Sequence, residues 1–235
     1  MLPLTEQCPK PLLKVAGKCL IEHHIEKLVK AGFREIVINV SYLGDMIEEH
    51  LGNGERYGAS IAFSQEDTPL ETGGGLLKAL SLIGDEPFLL VNGDVWTDFP
   101  FSSLLPRRDI FEYVANNGAY LFLTPNPEHN PKGDFYFCDD ERKKIFTLDE
   151  RQKYKASDGP LDFSTWTYSG ISIIHPNLIA NYPQRREKFA LLEVFKHAML
   201  NQQLFGETYE GAWIDVGTPE RLAQVEKMLQ TSFQL

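Results

Sequence analysis

Apolar positions recur along this chain with two alternating periods, one helical and one extended. From Leu20, the residues Ile21, Ile25, Leu28 and Val29 fall at helical spacing, which predicts an amphipathic helix closed by Gly32 as its C-terminal cap. The β-branched run Ile36-Val37-Ile38-Asn39-Val40 comes next and predicts a strand buried on both faces. The order then repeats: Met46 to Leu51 reads as a short helix, Ser60 to Ser64 as a strand, Gly75 to Ile83 as a helix and Phe88 to Val91 as a strand. Helices alternating with short apolar strands predict an α/β chain on a doubly wound, mostly parallel sheet.

The second half is less regular. Tyr120 to Leu123 and Ser169 to Ile174 read as strands, and the polar stretch from Asp139 to Asp162 between them reads as a loop-rich insertion. Thr218 as N-cap, Pro219 at the first helical position and Leu222, Val225 and Leu229 on one face predict a final helix. With no repeat, low-complexity tract or linker, 235 residues of 43% hydrophobic content are expected to form one large domain.

Charge and composition narrow the function classes. A net charge of −10 without a dense Lys/Arg cluster argues against a nucleic-acid partner, whose backbone demands a basic footprint. No stretch approaches the roughly 20 apolar residues of a membrane-spanning helix, and Glu6 and Lys10 interrupt the region where a signal peptide is apolar. Cys8, Cys19 and Cys138 are odd in number and lack metal-ligand spacing, so neither a disulfide framework nor a zinc site is predicted and a reducing cytoplasm is the expected setting. His23, His24 and His50 lie on predicted helices without a partner pattern for metal or triad chemistry and read as surface or boundary residues. Trp96, Trp166 and Trp213 fit a sugar platform, or the core, which is the simpler reading.

Two acids stand out by position. Phe88 to Val91 ends in Asn92-Gly93-Asp94, and in open α/β sheets ligands bind beyond the carboxyl ends of the strands. Asp215, in Trp213-Ile214-Asp215-Val216-Gly217, is a second acid beside apolar residues. Two carboxylates together with substrate phosphates suit Mg²⁺, although each acid alone also fits an ordinary turn residue. Glu71-Thr72-Gly73-Gly74-Gly75 opens a helix and removes side chains where a ligand approaches closely; a flexible turn capped by Thr72 explains it as well. Lys10 is flanked by Pro9 and Pro11, which stiffen the chain around one ammonium group able to neutralise phosphate, or around a solvated lysine.

Taken together, Pro3-Leu4-Thr5, Pro9-Lys10-Pro11-Leu12, Glu71 to Gly75, Asn92-Gly93-Asp94 and Trp213 to Thr218 resemble, in order and spacing, the sugar-1-phosphate nucleotidyltransferases. The resemblance covers nearly the whole chain. Ile36 to Leu51, Leu70 to Asp98 and Tyr168 to Pro176 are similar to the branch that uridylylates N-acetylmuramate 1-phosphate in peptidoglycan recycling. It implies a Rossmann-like nucleotidyltransferase fold, with residues 1–98 as the nucleotide-binding part and 99–235 as the sugar-binding part and C-terminal helix.

The implied reaction joins UTP and a sugar 1-phosphate into a UDP-sugar and pyrophosphate. By matching positions, Asp94 and Asp215 hold Mg²⁺, Lys10 offsets phosphate charge, and Glu71, Thr72, Gly73 and Gly74 border the nucleotide. Asn92, Gly133, Ser169 and Gly170 match sugar-side positions. The resemblance also implies a buried strand and a glycine-rich loop ending in Arg ahead of Met1, so the natural start is expected upstream. Alternatives are a thymidylyl- or guanylyltransferase acting on a hexose 1-phosphate, a truncated non-catalytic nucleotide-sugar binding protein, and a metal-dependent glycosyltransferase.

Overall fold

The computed structural model describes residues 5, 7–137, 143–146 and 164–232. In chain order the strands are β1 (Lys14–Val15), β2 (Lys18–Cys19), β3 (Glu35–Val40), β4 (Ser60–Gln65), β5 (Phe88–Val91), β6 (Val95–Thr97), β7 (Ala119–Thr124), β8 (Phe135–Phe137), β9 (Ile145–Phe146), β10 (Ser164–Ile174), β11 (Leu204–Thr208) and β12 (Trp213–Asp215). The helices are α1 (Leu20–Lys30), α2 (Gly44–Leu51), α3 (Glu71–Ile83), α4 (Arg108–Val114), α5 (Pro176–Ala180), α6 (Leu191–Leu200) and α7 (Pro219–Ser232). They form two compact units that interleave along the chain, the first from Met1–Pro69, Asn92–Pro106 and Ala212–Leu235, the second from Leu70–Val91 and Arg107–Gly211.

In the first unit, β1 and β2 form a short antiparallel hairpin that delivers the chain into α1. Leu20, Ile21 and Ile25 are buried, as their spacing predicts. Gly32, with φ +102°, donates its N–H to the Val29 carbonyl at 3.0 Å while Phe33 donates to Leu28 at 2.9 Å, the paired closure that a left-handed glycine permits. β3 and β4 run parallel, with Ile36 opposite Ile61 and Ile38 opposite Phe63, and α2 supplies the crossover between them. Cys19, Ile21, Ile25, Val40, Ile47, Leu51 and Ile61 share one apolar cluster. β3 departs from the expected strand buried on both faces: Glu35 and Asn39 are exposed and only Val40 is fully buried. In the same unit β6 pairs antiparallel with β12, and Leu13, Val15, Leu20, Trp96, Ile214 and Val216 pack with Val225 of α7.

The second unit is built on a sheet ordered β11-β7-β10-β8-β9, with β5 also paired to β10. Every residue of β7 is buried, and its two faces meet different partners. Leu121 and Leu123 join Leu76 of α3, Leu178 of α5 and Phe195 of α6, while the Tyr120 ring lies 5.6 Å from that of Tyr113 on α4. Helices on both faces of a sheet make the α/β, Rossmann-like architecture that the alternating pattern predicts.

The strand directions are mixed where a mostly parallel sheet was expected. β7 and β11, separated in the chain by β8 to β10, α5 and α6, pair in parallel, whereas β10 runs antiparallel to β5, β7 and β8. Parallel neighbours need a crossover, and among the described residues no helix lies between β7 and β10. Of the polar stretch from Asp139 to Asp162, residues 143–146 are described and include β9; the rest of the predicted insertion lies outside the described residues. No helix among the described residues is long and apolar enough to cross a membrane.

Candidate functional site

The tripeptide Asn92-Gly93-Asp94 is the turn between β5 and β6, and the Val95 N–H donates back to the Asn92 carbonyl at 3.4 Å. Lys10 heads a short 3-10 turn whose N-cap is Pro9, and its Nζ donates to Asp94 Oδ2 at 3.0 Å. Proline fixes the backbone on either side of the lysine, so the ammonium group is presented to the acid from a stiff segment. A Cβ added at Gly93 would meet nothing within 4 Å, so the turn borders open space.

Asp215 ends β12, opposite Val95 in the ladder, and the Val216 N–H donates to the Asp94 carbonyl at 2.8 Å. Two acids that the sequence leaves unconnected thus occupy neighbouring register positions. The guanidinium of Arg221, in the first turns of α7, donates to Asp215 Oδ2 at 3.0 Å. Thr218 caps that helix as predicted, its Oγ1 accepting from the Arg221 N–H at 3.3 Å. A Cβ at Gly217 would lie 2.4 Å from the Arg221 guanidinium, so the glycine admits the arginine to Asp215. Two carboxylates offer the hard oxygen ligands that Mg²⁺ takes, and the adjoining Lys10 and Arg221 suit phosphate oxygens, so the donor set fits this ion.

Helix α1 holds β6 in place from behind the turn. His24 donates Nε2–H to the Val95 carbonyl at 2.5 Å, and Lys27 donates to the Thr97 carbonyl while lying 4.7 Å over the Trp96 ring. Burial pushes His24 down to about 4, and burial likewise lowers Lys27. His24 is therefore an interior residue, 6% exposed, and not the surface or boundary residue its helical position suggested. Arg221 carried no sequence signal of its own; the i, i+6 spacing from Asp215 becomes meaningful once a strand, a turn and a helix start lie between them. Trp96 is buried and Trp213 half-buried, in keeping with the core reading.

In the second unit, the glycine run lies inside α3 rather than in a flexible turn ahead of it. The Gly73 and Gly74 N–H groups donate to the Phe189 carbonyl at 3.0 and 3.1 Å. A Cβ would lie 2.6 Å from the Phe189 ring at Gly73 and 2.2 Å from the Glu187 carbonyl at Gly74. These glycines admit the 187–189 backbone against the helix, a packing reason that the bare sequence conceals. Glu71 and Thr72 remain exposed, and Glu71 adopts φ +60°, a conformation that costs a non-glycine residue about 1–3 kcal/mol and marks strain at the helix entry.

Apart from Asn92, which lies on the Asp94 turn, the sugar-side candidates sit around a bulge in β10 between Tyr168 and Ile171. Gly170 there has φ +78°, and Ser169 is fully buried, donating Oγ–H to the Phe122 carbonyl at 2.7 Å and accepting from the Ile171 N–H at 3.2 Å. Gly133, with φ +65°, passes so close to Trp166 that a Cβ would lie 2.8 Å from its carbonyl oxygen. Asp134 accepts from the Tyr168 N–H at 2.8 Å, and its own N–H donates to the Trp166 carbonyl at the same distance. Gly133, Ser169 and Gly170 are thus brought together on one loop-and-bulge platform.

Comparison with known proteins places these arrangements in a family. The nucleotidyl transferase family model matches residues 1–232. The chain is 39% identical, over 97% of its length and 92% of the relative's, to the N-acetylmuramate alpha-1-phosphate uridylyltransferase of Neisseria meningitidis serogroup B. It is 30% identical to the mannose-1-phosphate guanylyltransferase catalytic subunit beta of Dictyostelium discoideum, over 93% of this chain and 58% of that relative. The structure superposes with a TM-score of 0.77 on a putative glucose-1-phosphate thymidylyltransferase from Bacillus anthracis in complex with a sucrose, at 19% identity and covering 97% and 89% of the two chains, which shows the shared fold. By the family model over residues 1–232 and the 39% identity to a relative covered over 92% of its length, the chain belongs to the sugar-1-phosphate nucleotidyltransferases.

Proposed function

We propose that the chain transfers a uridylyl group from UTP to a sugar 1-phosphate, N-acetylmuramate 1-phosphate being the substrate favoured. The reaction class rests on one observation: Lys10 pairs with Asp94 on the turn after a strand, and the strand carrying Asp215 is bonded beside that turn through the Val216 N–H. The substrate pair rests on the 39% identity to the Neisseria uridylyltransferase over 97% of this chain. In the reaction an oxygen of the sugar phosphate attacks the α-phosphorus of UTP, a new P–O bond forms, and the bond to the bridging oxygen breaks to release pyrophosphate. Such displacement depends on positioning and electrostatic stabilisation and needs no side-chain nucleophile.

In this reading Asp94 and Asp215 hold Mg²⁺, which when bound neutralises and orients phosphate oxygens. Arg221 keeps Asp215 oriented, and Lys10 is able to leave Asp94 for a phosphate. Glu71 and Thr72 border the base, with Gly73 and Gly74 keeping the helix entry slim. Asn92 lies on the same turn as Asp94, and Gly133, Ser169 and Gly170 shape the platform for the sugar.

The guanylyl reading is kept because the Dictyostelium relative matches at 30% identity. Pyrophosphate release measured with UTP, dTTP and GTP against N-acetylmuramate, glucose and mannose 1-phosphates separates the two. The expected result is a kcat/KM for the UTP and N-acetylmuramate 1-phosphate pair above every other. A preference for GTP with mannose 1-phosphate overturns it, and tight UDP-sugar binding without turnover points to a binding protein instead.

A further inference from the structure

Outside the Asp94 turn, the first unit gathers three ligating side chains of different chemistry. Among the described residues, Cys19, Glu22 and His50 offer a sulfur, an oxygen and a nitrogen that all lie within 4.8 Å of one another. Cys19 ends β2 immediately before α1, as the N-cap residue of that helix. Glu22, one turn into α1, folds back so that Oε2 accepts from the Cys19 N–H at 2.8 Å, while Oε1 lies 3.3 Å from His50 Nε2. His50 comes from the last turn of α2, whose Ile47 and Leu51 pack in the same cluster as Cys19.

Cys19 and Glu22 form the capping box of α1, and His50 is added to it from a second helix. His50 Nε2 lies 3.6 Å from Cys19 Sγ and 3.3 Å from Glu22 Oε1. A ring nitrogen carries one proton or one lone pair in the ring plane, so it serves one of these neighbours well and leaves the other poorly served. A single cation serves all three. A tetrahedral ion with bonds of about 2.3 Å to sulfur and about 2.0–2.1 Å to nitrogen and oxygen sets S···N near about 3.6 Å and N···O near about 3.3 Å. The two separations from His50 Nε2 match these values. The mixed sulfur, nitrogen and oxygen donor set suits zinc and its neighbours, whereas Mg²⁺ takes oxygen ligands.

We propose that Cys19, Glu22 and His50 form a second cation site, selective for a zinc-class divalent ion, which ties the start of α1 to the end of α2. Binding breaks the Cys19 S–H bond, forms a sulfur–metal bond and releases the proton to solvent. Solvent takes the fourth position, since the His50 and Glu22 side chains are 32% and 16% exposed. Two groups oppose the ion: Tyr57 donates to Glu22 Oε1 at 2.7 Å and Arg56 reaches it at 3.3 Å. Arg56 is more than half exposed and swings away at little cost. Burial and then Glu22 push the thiol up to about 11, and burial raises Glu22 while bonds from Tyr57 and the Cys19 amide bring it down to about 2. The carboxylate is thus already charged, and the ion has one proton to displace.

Cobalt(II) added to the full chain after chelator treatment tests the site, because a thiolate ligand gives a near-ultraviolet charge-transfer band and a tetrahedral ion gives strong visible bands. One Co²⁺ per chain with both signatures is expected, displaced by Zn²⁺. Both signatures persist in Asp94→Asn, and both are lost in His50→Gln and Cys19→Ser, with Co²⁺ affinity at least about tenfold lower. Should Cys19→Ser fail to fold, as judged by circular dichroism, His50→Gln decides alone, since its side chain is partly exposed. Absence of the charge-transfer band in the unaltered chain, or its survival in His50→Gln, overturns the proposal. A Tm that rises with Zn²⁺ in the unaltered chain but not in His50→Gln supports it independently.

Discussion

The Val216 N–H donates to the Asp94 carbonyl at 2.8 Å, and through this bond the strand carrying Asp215 is locked beside the turn carrying Asp94. Backbone pairing holds the two acids at adjacent positions whatever their side chains carry. Substitution of either carboxylate therefore tests its charge rather than the fold.

Asp94→Asn keeps the shape of the turn and removes one negative charge. The variant is expected to lose at least about a hundredfold in kcat, the scale for losing a group that supports transition-state charge, with its Tm within a few degrees of the parent. Pyrophosphate release and thermal melts measure the two effects separately. Retention of full turnover would mean that the acid is only a turn residue.

Lys10→Met removes the cation that sits 3.0 Å from Asp94. The pair is partly exposed, 22% and 49%, so it contributes about 1 kcal/mol or less to stability. A rise in KM for the nucleotide of about tenfold or more, at nearly unchanged stability, is expected if the ammonium group meets phosphate. A stability loss with unaltered KM would assign it a purely structural part.

Gly74→Ala and Gly93→Ala make a contrasting pair. The added methyl lies 2.2 Å from the Glu187 carbonyl in the first and meets nothing within 4 Å in the second. Urea unfolding is expected to show a loss of about 1–3 kcal/mol for Gly74→Ala and a change within about 0.5 kcal/mol for Gly93→Ala. Equal effects would show that the 187–189 segment yields to the helix.

Buried His24 gives stability a dependence on pH. Its folded value, about 4, lies below the ordinary 6.5, so between these limits the unfolded chain binds a proton that the folded chain does not. Stability therefore falls as pH drops from 6.5 towards 4 and is spared further loss from this group below 4. The decline amounts to about 3 kcal/mol. Urea midpoints across that range are expected to show this slope and to flatten in His24→Asn, and an equal slope in the variant would place the titration elsewhere.

Much of the fold was legible because the first half keeps its periods clean. α1, α2, β4 and β5 lie within a residue or two of the predicted bounds, and Thr218 and Pro219 open α7 as expected. α6 escaped notice because Leu191-Leu192 and Val194-Phe195 are apolar on most sides, which blurs a helical stripe. The early part of β10 was hidden by Ser164, Thr165 and Thr167, polar residues that satisfy local partners such as Asn126. For the site, Lys10, Asp94 and Asp215 were visible as residues, while their meeting depends on the β6–β12 ladder, a contact that no local pattern encodes. The Cys19, Glu22 and His50 trio was invisible for the same reason: two of its members lie on α1 or its cap and the third on another helix.

The interleaving of the two units also dictates an order of events in synthesis. β6 is made when about two-fifths of the chain is complete, yet its ladder partner β12 is made only after the whole of the second unit. The Asp94 turn must wait, one edge unpaired, while nearly half the chain is added, and the loop that finally closes carries the entropy cost of a long-range contact. Neither unit is a contiguous stretch that truncation can isolate. A nascent chain halted before β12 holds Asp94 and Lys10 but lacks the strand that sets their neighbour in place, so assembly of this acid pair belongs to the last stage of making the protein.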